Sequence, residues 1–215
     1  MKLPVLYLHG FASDPSSSKA RFIGERLRSE GRDFSVPDLN CGDFTHMTAA
    51  RALDLARESA AHLGGPYAVI GSSFGGYIAA LLAASGEPFL RGLFLMAPAF
   101  RPAELWKLGM LPEDYARWEA EGSTMVDHFS WRKRVPLSFD FCRDLAAKPE
   151  FPDIGGLPCT IVHGTEDVVV PIDLSKRFAA MHPQVVLHPV ADSHELAQSV
   201  PWIADRVAEF LNSLE

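Results

Sequence analysis

One short stretch constrains this chain more than any other. The apolar run Tyr67 to Ile70 passes directly into Gly71-Ser72-Ser73-Phe74-Gly75-Gly76, and that turn passes into an apolar, helix-like run from Tyr77 to Ala84. Unbroken apolarity over so few residues suits a parallel strand buried on both faces. A strand that becomes a helix within one or two residues must turn a sharp corner. Glycines two residues before and after Ser73 remove the Cβ atoms that such a corner would bring into collision, and Ser73 is left projecting from the strand's end. The helix N-terminus that follows aims free amides at the same point, where negative charge can develop. Ser73 is therefore a candidate nucleophile of the G-x-S-x-G kind. Centring the motif on Ser72 would put Ile70 and Phe74 where small residues are needed, so Ser72 has a structural role. The motif alone also allows a glycine-rich turn with no chemistry. A phosphate loop does not fit, because no Gly-Lys-Ser/Thr follows and G-x-G-x-x-G is not matched.

The rest of the chain repeats the same alternation. Further strand-like runs lie at Pro4 to Leu8, Leu93 to Met96, Cys159 to Val162 and Val185 to Leu187, with a weaker one at Phe34 to Val36. Between them apolar residues recur every three or four positions: Leu53, Ala56, Ala60 and Leu63, then Leu174, Phe178 and Met181, with Ala20, Ile23 and Leu27 less decisive. The clearest stripe is C-terminal, at Val200, Ile203, Val207, Phe210 and Leu214. Strand and helix in alternation predict an α/β fold with a mostly parallel sheet, right-handed crossovers and helices on both faces. At 215 residues and 47% apolar content, residues 1–215 suit a single domain with a continuous core.

The alternation is interrupted at about 101–154, which is too long for an ordinary connection. No strand stands out there, while Pro112 to Ala120 and Ser138 to Ala147 are helix-prone. Its aromatic residues Trp106, Tyr115, Trp118, Phe129, Trp131, Phe139 and Phe141 are unlike a disordered linker and predict a small helical cap. A cap over the C-terminal edge of a parallel sheet lies where ligands bind.

A serine hydroxyl is a weak nucleophile until a base takes its proton. His194, in Ala191-Asp192-Ser193-His194-Glu195, follows the last strand-like run and precedes the final helix, which brings it to the same sheet edge as Ser73. The base in turn needs a carboxylate to fix its tautomer. Asp167, in His163-Gly164-Thr165-Glu166-Asp167, follows the penultimate strand, and serine, aspartate, histidine is the chain order this chemistry has on an α/β sheet. Glu166 competes for the role, Asp192 less strongly; Val168-Val169-Val170-Pro171 can anchor the Asp167 loop. An oxyanion needs two amide donors. One is the N–H of Phe74; the other comes from His9-Gly10-Phe11-Ala12 after the first strand, with Phe11 favoured over Ala12. His9 is out of order for the base and is assigned to bracing that loop.

With these residues in place, the chain resembles the α/β-hydrolase superfamily over nearly its whole length. Leu8-His9-Gly10-Phe11, the Ser73 corner, His163 to Asp167 with Val170-Pro171, and Ser193-His194 fall in that family's order and in the matching loops. The opening Tyr7 to Pro15, with Lys19-Ala20 after it, is similar to the small bacterial YqiA-like esterases. The resemblance implies Ser73 as nucleophile, Asp167 as orienting acid, His194 as base, and Phe11 and Phe74 as oxyanion donors. It also implies a sheet of about six strands, since the chain starts on the counterpart of the family's third strand.

These residues predict two-step acyl transfer on a small-molecule acyl ester or thioester, with carboxylic esters favoured. Peptidases and carbon–carbon bond hydrolases use the same three residues, and a non-catalytic binding protein that kept the pocket stays open. The imidazole must be neutral to act, so activity is expected to fall as pH drops through its ordinary range of about 6.5. No metal or cofactor is expected: no H-E-x-x-H occurs, and the eight histidines and three cysteines are scattered. A net charge of −7 argues against nucleic acid. No apolar run is long enough to span a bilayer, and Val5 to Leu8 leads into His9-Gly10-Phe11 rather than a cleavage site. Cys41, Cys142 and Cys159 form no C-x-x-C pair and suit free thiols in a reducing compartment, the cytoplasm. Trp106, Trp118 and Trp131 are candidate pocket residues. Arg132-Lys133-Arg134, Asp43 and His46 are weaker candidates, since charge runs are usually solvated.

Overall fold

The structure is a computed structural model and describes residues 2–215. From the N-terminus the elements run β1 (Val5–Leu8), α1 (Ser18–Ser29), β2 (Phe34–Ser35), α2 (Ala49–Ala61), β3 (Tyr67–Ser72), α3 (Phe74–Ala84) and β4 (Leu90–Met96). Then come α4 (Pro102–Leu108), α5 (Pro112–Glu121), β5 (Ser123–His128), β6 (Lys133–Ser138) and α6 (Asp140–Ala146). The alternation resumes with β7 (Cys159–Gly164), α7 (Ile172–Met181), β8 (Val185–Val190) and α8 (Val200–Ser213).

Six strands form one sheet in the order β2-β1-β3-β4-β7-β8, and every neighbouring pair is parallel. Side chains alternate between its faces with the period of two that a strand imposes. Leu6, Leu8, Val69, Leu93, Leu95 and Ile161 join α2, α3 and α7 in one core cluster. Val5, Tyr7, Ala68, Ile70, Phe94 and Val162 join α1 and α8 in the other. Helices therefore cover both faces, which is why the central strands carry no polar face. Each large apolar side chain buried this way stabilises the fold by about 1.5–3 kcal/mol.

Two expectations change. The sheet's last strand continues past Leu187 through His188 and Pro189 to Val190. Proline is tolerated because β8 is an edge strand, paired on one side alone. The larger change is in 101–154, which is not purely helical. Strands β5 and β6 pair there as an antiparallel hairpin, with Val126 opposite Val135 and Thr124 opposite Leu137. The aromatic content of this segment is explained by its own packing. Trp118 is buried against Trp106, Tyr115 and Phe139, and its indole N–H donates to the Leu137 carbonyl at 2.9 Å.

Strand order fixes where a site can form. The chain steps from β1 outward to β2, then returns to the other side of β1 as β3. The loops after β1 and β3 diverge at this reversal, beyond the strands' C-terminal ends, and such a switch point is where open α/β sheets bind ligands. Ser73 directly follows β3 at that point.

Candidate active site

Ser73 sits at the corner between β3 and α3 with φ 51° and ψ −115°, a region that residues with a Cβ rarely adopt. Hydrogen bonds hold it there: its amide donates to the Met96 carbonyl at 2.9 Å, and its own carbonyl accepts from the Gly76 and Tyr77 amides. The flanking glycines are needed because backbone passes so close. A Cβ on Gly71 would lie 2.6 Å from the Gly75 carbonyl oxygen, and one on Gly75 would lie 2.5 Å from that of His9. The strain at Ser73 is thus imposed by two close backbone approaches that sequence could supply only with glycine.

The Ser73 hydroxyl lies 3.0 Å from His194 Nε2, and His194 Nδ1 lies 2.7 Å from Asp167 Oδ2. An ionised carboxylate can only accept, so Nδ1 carries the proton and Nε2 is free to accept from Ser73. The other carboxylate oxygen accepts the Val169 and Val170 amides at 2.9 and 2.7 Å. Burial alone would raise the Asp167 carboxyl, but donors from His163, His194 and Val170 outweigh it and hold the group well below the usual carboxylate range. The competing acids have other positions. Glu166 is exposed. Asp192 is buried and accepts the amides of Ser193, Gln198 and Ser199 and the Ser199 hydroxyl, so it folds the loop that carries His194. Lys19 adds a tether to that loop, donating to the Glu195 carbonyl at 2.8 Å.

The loop after β1 abuts the nucleophile: a Cβ on Gly10 would be 3.6 Å from that of Ser73. Phe11 is the next residue in this loop, and Phe74 follows Ser73 at the first position of α3. Ala12 instead adopts a left-handed turn at φ 53°, and its carbonyl accepts the Ser130 amide at 3.4 Å. His9 is buried; its Nδ1–H donates to the Gly10 carbonyl and its Nε2 accepts the Leu39 amide, the bracing role expected of it.

Aromatic rings cluster around the Phe11 loop. Phe11 contacts Phe44, Trp106 and Phe141, with ring centroids 5.0–5.4 Å apart, and Phe74 meets Phe141 at 5.7 Å. Trp106 therefore borders the Phe11 loop. Trp118, at 1% exposure, lies behind it within the packing of the 101–154 segment and is not a surface that a ligand reaches. Trp131 is at the tip of the β5–β6 hairpin, partly exposed and stacked on His128 at 3.7 Å. Asp43 and His46 bond to each other on an exposed turn. The residue that sequence reasoning missed is His163, fully buried beside Asp167. Its position four residues before Asp167 was the one available signal.

Fold and site together define a protein of the α/β-hydrolase superfamily. Residues 4–203 match the Uncharacterised protein family (UPF0227), and the chain belongs to that family. No curated protein matches the chain in sequence. Among solved structures it is similar to a candidate hydrolase from Agrobacterium vitis S4, at 21% identity and a TM-score of 0.83, covering 98% of this chain and 88% of that one. It is also similar to Est1E from Butyrivibrio proteoclasticus with ferulic acid bound, at 23% identity and a TM-score of 0.81, covering 99% and 90%. A protein of the α/β-hydrolase superfamily from Xanthomonas campestris pv. campestris is 26% identical, with a TM-score of 0.64 and 99% of each chain covered.

Proposed function

We propose that this chain is a serine hydrolase that cleaves carboxylic esters through an acyl-enzyme on Ser73. The observation that carries this reading is the unbroken hydrogen-bonded series Ser73–His194–Asp167, with separations of 3.0 and 2.7 Å at the switch point of the sheet. His194 takes the Ser73 proton as Oγ attacks the ester carbonyl, and Asp167 stabilises the imidazolium that forms. Negative charge on the carbonyl oxygen is met by the amides of Phe74 and Phe11. His194 then gives its proton to the departing alcohol. Water enters, loses a proton to His194 and attacks the acyl-enzyme, which restores Ser73 and releases the acid.

The chain is taken as one domain in which 101–154 forms the cap. The substrate is a small acyl ester whose acyl part packs against Phe11 and Trp106, with Trp131 at the rim. The ferulic acid bound to Est1E supports aromatic acids as part of this class. Among the described residues no helix is long and apolar enough to cross a membrane. The three free cysteines favour a reducing compartment, and we assign the protein to the cytoplasm. The direct test is turnover of a panel of p-nitrophenyl esters, acyl-CoAs and aminoacyl amides beside the Ser73→Ala variant. Ester hydrolysis that the substitution abolishes supports the reading, a preference for acyl-CoA makes the protein a thioesterase, and no turnover of any of them contradicts it.

A further inference from the structure

The candidate site contains a second imidazole that acyl transfer, as described, does not use. His163 is the penultimate residue of β7 and has no exposed surface. Its Nε2 lies 3.1 Å from Asp167 Oδ2 and 2.9 Å from the Val170 carbonyl oxygen. Both are acceptors, so Nε2 carries a proton and shares it between them. Its Nδ1 lies 2.8 Å from the hydroxyl of Ser175, a buried residue on α7. A neutral imidazole protonated at Nε2 must accept at Nδ1, so the Ser175 hydroxyl donates and fixes the tautomer.

We propose that His163, with its tautomer set by Ser175, is a positioning residue that fixes Asp167 and draws charge from the oxygen facing His194; this rests on the acyl-transfer reading above. The geometry gives the reason. Asp167 Oδ2 accepts from His194 Nδ1 and from His163 Nε2, while Oδ1 accepts from two amides. With four donors the carboxylate has no unpaired direction in which to rotate. The Val170 carbonyl keeps His163 in plane and ties the same loop to β7.

The electrostatic consequence has a definite sign. A donor on Oδ2 removes negative charge from the oxygen that stabilises the His194 imidazolium. Losing that donor leaves more charge facing His194, so protonated His194 is favoured and the acid limb of the activity profile moves to higher pH. Other charged groups around this pair are Lys19 on α1, which acts on Asp167 across the site, and Asp192, Glu195 and Glu166 on the adjoining loops. None of them is altered by a change at His163, so the limb reports the missing donor.

The test compares His163→Phe, which removes the donor at similar volume, with His163→Gln, whose amide can still reach Oδ2. Ser175→Ala is the third variant, and kcat is measured against pH for each on active sites titrated with an organophosphonate. Titration counts folded, competent enzyme and so separates misfolding from altered chemistry. The expected result for His163→Phe is a kcat lower by on the order of tenfold and an acid limb higher by about half a pH unit. His163→Gln should restore the limb, and Ser175→Ala should move it in the same direction by less. A limb that stays put in both His163→Phe and Ser175→Ala overturns the proposal, as does a shift that glutamine does not reverse. If wild-type protein does not react with the organophosphonate at Ser73, it is the acyl-transfer reading that fails instead.

Discussion

Gly164 packs directly against the backbone of Asp192, so closely that an added Cβ would overlap the Asp192 carbonyl oxygen and lie 2.6 Å from that of Ser193. The end of β7, which leads to Asp167, is thereby pressed against the loop that presents His194. Gly164→Ala should push the two loops apart. Overpacking of this kind costs about 1–3 kcal/mol of stability, and misplacing a reacting group by an ångström can cost on the order of 100-fold in rate. The expected variant is folded by circular dichroism, with a kcat/KM reduced by about that factor; near-normal activity would mean that the His194 loop is not positioned here.

Ser73 stands at φ 51° in a conformation that glycine adopts without strain. Ser73→Ala and Ser73→Gly should both lose nearly all turnover, yet differ in stability. Glycine relieves the strain that alanine keeps, so Ser73→Gly is expected to be the more stable by about 1 kcal/mol. Parallel urea melts measure this, and an alanine variant as stable as the glycine variant would show that the corner is unstrained.

Asp167 is held ionised by folding. Its carboxyl lies below the unfolded value of about 3.9, so the stability it contributes is fully present above that pH and is lost as pH falls toward the folded value. Asp167→Asn should therefore be destabilised most at neutral pH, with the gap from wild type narrowing below about pH 4. Denaturant unfolding between pH 7 and pH 3 tests this, and a gap that does not change with pH would contradict it.

The three thiols should separate by reactivity. Burial pushes Cys142 up to about 12, against a hydrogen bond with Tyr115 that acts the other way, and burial pushes Cys159 higher still. Cys41 is half-buried, and its thiol is raised by the same cause to a lesser extent. Iodoacetamide at pH 8 should add slowly to Cys41 and reach Cys142 and Cys159 after urea unfolding alone. Peptide mapping that found Cys142 modified in native protein would show that the α6 region opens.

The residues of the candidate site were legible in sequence because each stands directly after an apolar strand, and because serine, aspartate and histidine arrive in one order. The neighbours that hold them were less so. His163 gained meaning once Ser175 and the Val170 carbonyl were beside it, which depends on how α7 and the intervening loop fold back on β7. The β5–β6 hairpin escaped notice for a local reason. Its inward positions Thr124, Val126, Val135 and Leu137 alternate with Met125, Asp127, Arg134 and Pro136. Proline and the basic run Arg132-Lys133-Arg134 argue against a strand when read alone. Trp118 followed from the same omission, because the carbonyl that receives its indole N–H belongs to that hairpin.

The proposed chemistry stands or falls with Ser73 as the nucleophile, activated by His194 and Asp167. The most direct measurement is mass-spectrometric mapping of the adduct formed with a fluorophosphonate, in wild type and in Ser73→Ala, His194→Ala and Asp167→Asn. One adduct is expected, on Ser73, absent in Ser73→Ala and formed far more slowly in the other two variants. An adduct on a different residue, no adduct at all, or an unchanged rate without His194 would contradict it.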